Sequence, residues 1–189
     1  MNKYILGLDV STAVTGVCVL SADPSQLTPQ ERIKIIDKIE FKSSSTFWEK
    51  CDRARSHLRG IKDSFGEGTS WSLALEEPLL GFQKGMSSAT TITTLMRFNG
   101  ILSFIGRDIF GIDPQYISSA SARKLCGIKM QRTSIAGING KEQVFKYMSE
   151  NDLSHIEWPT KKGGKVVDWS RDATDAYVIA RAAFLMGNN

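Results

Sequence analysis

Residues Ile5 to Gly16 read ILGLDVSTAVTG, and the carboxylate in the middle of that stretch decides how the chain is understood. Ile5, Leu6 and Leu8 have the character of a buried strand, yet Asp9 follows at once, ahead of the small polar run Ser11, Thr12, Thr15 and Gly16. A charge at the end of a core strand costs several kcal/mol unless it finds a partner. Asp9 is therefore either a turn-former, a role that Asp commonly fills, or half of a site.

Outward from that stretch, KYILGLDV and GVCVLSA are apolar runs joined by a polar turn, and RIKIIDKIEFK alternates after them with period two, which predicts three strands in succession. The intervening DPSQLTPQE, with two prolines, reads as an exposed excursion. From Thr46 to Phe65, the residues Phe47, Cys51, Ala54, Leu58, Ile61 and Phe65 recur at spacings of three and four, the mark of an amphipathic helix, and Gly66 and Gly68 stop it. WSLALEE is a short apolar strand ending in Glu76 and Glu77 and closed by Pro78, a repeat of the pattern at Asp9. A long helix over Ser87–Arg107, a strand at QYISS, a short helix over Ala120–Cys126, a helix at GKEQVFKYMSEN and a closing amphipathic helix from Ser170 complete the order. Three strands in meander followed by alternating helix and strand predict a mixed α/β sheet flanked by helices, with the first strand at its centre.

The chain of 189 residues is long enough to bury one core, and one domain over 1–189 is expected. Hydrophobic content of 41% and charged content of 23% are those of a globular protein rather than a disordered one. Twenty-four Lys and Arg against 20 Asp and Glu, a net charge of +4, permit a polyanionic partner without demanding one. Cys18, Cys51 and Cys126 are widely spaced, and with only His57 and His155 beside them they complete no zinc set, so free thiols and a cytoplasmic location are expected. No leader and no stretch of about 20 apolar residues stands in the sequence, so no membrane partner is expected.

With the first strand central, Asp9 lies near its C-terminal end and Glu76 or Glu77 can stand beside it; only one of two neighbours on a strand points to a given face. Asp172 and Asp175 are three apart on the last helix and project from one face. Asp172 alone is also a good helix-start residue, but Asp175 runs into Ala176, Tyr177, Ile179 and Ala180 and should lie close to the buried stripe. Four converging acids repel one another until protonation or a cation relieves them. Oxygen ligands without His or Cys select Mg²⁺ or Mn²⁺. Two such ions roughly 3.5 to 4 Å apart activate water on one side of a phosphodiester and stabilise the leaving oxygen on the other, so the chemistry implied is phosphodiester hydrolysis.

LGLDVSTAVTG, LALEEP and SRDATDAYVIA resemble the acidic motifs of the RuvC family of Holliday junction resolvases, in the RNase H-like superfamily, and YISSASARKLCGI followed by GKEQVFKYM agrees as well. The likeness spans the chain apart from DPSQLTPQE and the segment from Leu153 to Val167. It implies an RNase H-like mixed five-stranded sheet, a metal-dependent endonuclease that nicks Holliday junctions or other branched DNA, and two Mg²⁺ per site, with Mn²⁺ as substitute. By position it makes Asp9 the carboxylate shared between metals, with Glu76, Asp175 and the more variable Asp172 completing the catalytic set. Glu77 stands where the family has a neutral residue and is expected to face outward.

Two other classes compete. Sugar kinases and their actin-like relatives also open with a strand, an Asp and small polar residues, but need a second domain and no Asp-x-x-Asp on the final helix. A RuvC-like module that binds branched DNA without cutting would have little reason to keep all four acids. DNA-backbone contacts are expected from Arg123, Lys124, Lys129, Arg132 and Lys141, the last matching a basic position of the family motif. In the loop LLGFQKGMSS, Phe82 is placed to stack on an unpaired base and Lys84 to hold the adjoining phosphate; the alternative is that Phe82 folds back onto the protein. A homodimer is expected because two opposed nicks need two sites. Its interface is assigned to Ile92, Leu95, Met96, Asn99, Ile101 and Leu102 of the long helix, the alternative being that this helix is simply core.

Overall fold

The computed structural model describes residues 2–78 and 89–187. Five strands, β1 (Lys3–Asp9), β2 (Val14–Ser21), β3 (Ile33–Glu40), β4 (Ser70–Glu76) and β5 (Gln115–Ile117), form one sheet in the order β3-β2-β1-β4-β5, so β1 is central as its sequence predicted. β1 pairs antiparallel with β2, and parallel with β4. Helix α1 (Pro29–Arg32) lies between β2 and β3, α2 (Phe47–Ser64) precedes β4 and α3 (Ala89–Phe110) precedes β5. They are followed by α4 (Ser119–Leu125), α5 (Thr133–Ala136), α6 (Gly140–Glu150) and α7 (Trp169–Gly187).

The period-two alternation of the strands sorts side chains to two cores. Leu6, Leu8, Val17, Val19, Leu73 and Leu75 pack beneath α2 and α3, while Ile5, Cys18, Leu20 and Ala74 face α4, α6 and α7. On β1 the alternation that turns Ile5 toward α7 also turns Gly7 and Asp9 to that face. Two glycines let α7 lie directly on the strands. A Cβ at Gly7 would come within 2.4 Å of the Ala176 carbonyl oxygen, and one at Gly16 within 1.9 Å of the Asp172 carbonyl oxygen.

Three sequence expectations are refined. Within the proline-containing excursion, Pro29–Arg32 form a helical turn, closed by a capping box between Thr28 and Glu31 that was there to be read. Helix α3 runs to Phe110 rather than Arg107, and Gly111, at φ 72°, supplies the left-handed stop. Of the residues assigned to a dimer face, Asn99 and Leu102 are buried in the core instead, because α3 lays that side against β4 and α2; Ile92, Leu95 and Ile101 are half-buried, and Met96 is exposed. The three cysteines are buried free thiols, and no described helix is long and apolar enough to cross a membrane.

Candidate active site

The turn after β1 explains the small polar run. Ser11 Oγ accepts from the amides of Ala13 and Val14, and Thr15 Oγ1 donates to the Ser11 carbonyl at 3.0 Å. These residues fold the hairpin and leave Asp9 as the group without a structural task. Its cross-strand partner is Gly16, the residue on which the Asp172 carbonyl rests. The close approach of α7 at Gly16 is therefore what brings Asp172 and Asp175 beside Asp9.

Glu76 arrives from the other side. The parallel register pairs Leu8 with Leu75, so Asp9 and Glu76 are the next residues along neighbouring strands. Glu76 shares the α7-facing side with Ala74, whereas Glu77 is exposed on the other and its amide donates to the Ile117 carbonyl at 3.0 Å. Ser119, opening α4, donates to Glu76 Oε1, and Asn99 Nδ2 donates to the Glu76 carbonyl at 3.2 Å. Ser119 was not singled out from the sequence and Asn99 was assigned to the dimer face, because the task of each depends on where α4 and α3 dock.

At the centre stands the Lys141 ammonium, from the first turn of α6. It donates to Asp9 Oδ2 at 2.9 Å and Asp172 Oδ1 at 2.7 Å, and lies 3.4 Å from Asp175 Oδ2. Glu142 fixes that turn by a two-pronged bond from Arg171, at 2.6 and 3.1 Å. Sequence reasoning placed Lys141 on the DNA backbone; in the structure its ammonium is drawn inward by three carboxylates.

One cation does not settle this much negative charge. Asp9, only 4% exposed, has its carboxyl pushed up to about 8, first by burial and further by the adjoining Glu76, against the pull of Lys141. Asp175 is pushed up to about 7 by burial and by the charge of Asp9, with Lys141 and Arg123 opposing. Burial alone would lower Lys141, but Asp9, Asp175 and Asp172 outweigh it and hold its ammonium protonated beyond its ordinary range.

Among the described residues no group of three or more Asp, Glu, His or Cys stands in metal-holding geometry. Lys141 nevertheless joins Asp9, Asp172 and Asp175 within 3.4 Å, and Glu76 adjoins Asp9. An all-carboxylate set of this kind fits Mg²⁺ or Mn²⁺.

The predicted basic residues divide. Arg123 lines a small cleft with Glu76, Ser119 and Asp175, while Lys124, Lys129 and Arg132 are exposed along α4 and the chain leading to α5. Phe82 and Lys84 lie outside the described residues.

No protein-family model matches the sequence, and no curated protein matches it by sequence. Solved structures do match. The RuvC of T. thermophilus in complex with Holliday junction substrate superposes with a TM-score of 0.62 at 13% identity, over 99% of this chain and 96% of that one. A second Thermus thermophilus RuvC structure gives 0.57 at 14% identity, over 98% and 96% of the two chains. The yeast mitochondrial Holliday junction resolvase Ydc2 gives 0.54 at 14% identity, over 97% of this chain and 80% of that one. The described residues have the RuvC fold, a mixed five-stranded sheet flanked by helices.

Proposed function

We propose that the protein is a metal-dependent, structure-selective DNA endonuclease that nicks four-way junctions or related branched DNA. The observation that carries this reading is the grouping of Asp9, Asp172 and Asp175 around Lys141, with Glu76 beside Asp9, from β1, β4 and α7 of a RuvC-like fold. Asp9, the most buried, together with Glu76, Asp172 and Asp175, would hold the ions. When bound, such ions would supply Lewis-acid stabilisation of the charge developing on a phosphodiester and lower the pKa of the attacking water. Ser119 and Asn99 hold the Glu76 strand end in place, and the Arg171–Glu142 bond holds α6 against α7. Lys141, with 47% of its side chain exposed, is the cation that divalent ions would displace, which leaves its ammonium facing the backbone of a bound strand. Arg123, Lys124, Lys129 and Arg132 extend the same basic surface.

A second copy of the chain is the partner we assign to α3. Met96, Gly100 and Phe104 follow one another at helical spacing and all face outward, Phe104 with 61% of its surface exposed. A homodimer would present two sites to a junction that is itself two-fold, so both opposed strands could be cut.

The test is cleavage of an end-labelled four-way junction and of a linear duplex of the same sequence, each with Mg²⁺ and with EDTA. Nicks confined to the junction and to Mg²⁺ are expected. Cutting in EDTA, or equal cutting of the linear duplex, would overturn the reading.

A further inference from the structure

The segment between α6 and α7 has no task in the site just described, and it is the part of the chain that the likeness in sequence left uncovered. In the structure it closes into a short β-hairpin. Thr160 bridges antiparallel to Val166, the Lys161 amide donates to the Lys165 carbonyl at 2.7 Å, and the Val167 amide donates to the Pro159 carbonyl at 3.0 Å. Its tip is Lys162-Gly163-Gly164, where both glycines hold positive φ, 100° and 79°, so the chain reverses in a conformation that other residues rarely adopt.

The hairpin base is fixed by aromatic packing. Trp158 packs at a tilt 5.7 Å from Phe145 of α6 and edge-on 6.0 Å from Trp169 of α7, and Lys38 of β3 lies 5.2 Å from the Trp169 ring. The Val167 carbonyl accepts from Ser170 Oγ at 2.7 Å and from Arg171 at 3.2 Å. This anchoring holds an otherwise solvent-exposed ribbon in a defined direction. Its position is equally defined, because Asp168 ends the hairpin one helical turn before Asp172.

What the hairpin presents is cationic. Lys161, Lys162 and Lys165 are all exposed; Lys161 is paired with Asp168 at 2.5 Å, while Lys162 and Lys165 make no hydrogen bond or ion pair at their ammonium groups. The two glycines leave the tip backbone open, with nothing within 4 Å of where a Cβ would stand, so a polyanion could approach its amides closely. Trp169, at the hairpin base, lies against β3, one outer strand of the sheet, and the cationic run of α4 follows β5, the other. The carboxylates of β1, β4 and α7 thus lie between two basic surfaces. Lysines alone are ordinary solvated surface; an anchored ribbon whose turn, Lys161 to Lys165, is built entirely of lysine and glycine and leads into the first turn of α7 is not explained by solubility.

We infer that the 159–167 hairpin is a second DNA-binding element, whose Lys162 and Lys165 grip the phosphate backbone of a duplex arm leaving the active site on the β3 side. The inference rests on the nuclease reading for the identity of the polyanion, and its test separates the two.

Binding of a fluorescent four-way junction is measured in EDTA over a series of KCl concentrations, for the wild type, for Lys162→Gln/Lys165→Gln and for Lys162→Arg/Lys165→Arg. Each phosphate contact contributes about one unit to the slope of log affinity against log salt. The Gln pair should lose about two units of slope, the Arg pair should keep the wild-type slope, and the melting temperature of all three should agree, because both positions are exposed. An unchanged slope in the Gln pair, with the wild type binding and cutting, overturns the hairpin and leaves the nuclease reading intact. A reduced slope in the Gln pair, with a wild type that binds the junction but cuts nothing with Mg²⁺, supports the hairpin and overturns the nuclease reading. A wild type that binds no DNA overturns both.

Discussion

Gly16 is the residue on which the site turns. It pairs with Asp9 across the sheet and gives the Asp172 carbonyl its seat, so a methyl group there must push α7 away from β1. Overpacking of this kind typically costs about 1 to 3 kcal/mol. Gly16→Ala should therefore lower the melting temperature by several degrees and abolish cutting; a variant with wild-type stability and rate would show that α7 can move without separating the acids. Asp9 adds a pH dependence. Its folded carboxyl is raised to about 8, above the unfolded value of about 3.9, so its contribution to stability is full below about pH 4 and is lost as pH rises through 8. Without metal, Asp9→Asn should therefore become more stable than the wild type, by a margin that widens from pH 5 to pH 8. Mg²⁺ should narrow that margin, by binding the wild type more tightly than the variant. Thermal melts across this range check the sign, and a margin independent of pH would contradict the burial of a charge at Asp9.

Among the elements, α3 makes the sharpest separable claim. Phe98, Leu102, Ile105 and Ile109 bury one side of it in the core, and Met96 and Phe104 stand on the other. Met96→Glu/Phe104→Glu should yield a folded monomer by light scattering where the wild type is a dimer, and a wild type that is already monomeric at micromolar concentration, with or without DNA, would remove α3 from the interface. The strands and long helices were legible in the sequence because alternation and three-four spacing persist over many residues, as in Lys3–Asp9 and Phe47–Ser64. The helix Thr133–Ala136 and the hairpin after Trp158 were not, because elements this short carry no period, and at Pro29–Arg32 only the capping box, not a period, marked the turn. The four acids were legible for the opposite reason: each breaks or borders an apolar run that would otherwise bury it. Lys141 could be singled out as basic, but its place among the acids depends on α6 packing against α7, and no local pattern encodes that.

At the scale of the whole molecule, the fold delivers acids from the first strand, the fourth strand and the last helix to one end of a sheet, between two basic surfaces. The central claim is that this cluster cuts DNA through the ions it holds, and Asp9, buried and adjoined by Glu76, Asp175 and Lys141, is its hub. A bound ion stabilises developing charge by several kcal/mol, and each 1.36 kcal/mol is a tenfold change in rate. Affinity for DNA, by contrast, comes mainly from cations meeting phosphates. Glu76→Gln and Asp175→Asn should behave like Asp9→Asn, and Asp172→Asn should be damaging but leaky. The most direct measurement is single-turnover cleavage of a labelled four-way junction by Asp9→Asn beside the wild type, in saturating Mg²⁺ and with junction binding measured in parallel. The account predicts that the variant binds the junction as the wild type does and cuts it at least about a hundredfold more slowly; cutting at the wild-type rate would contradict it.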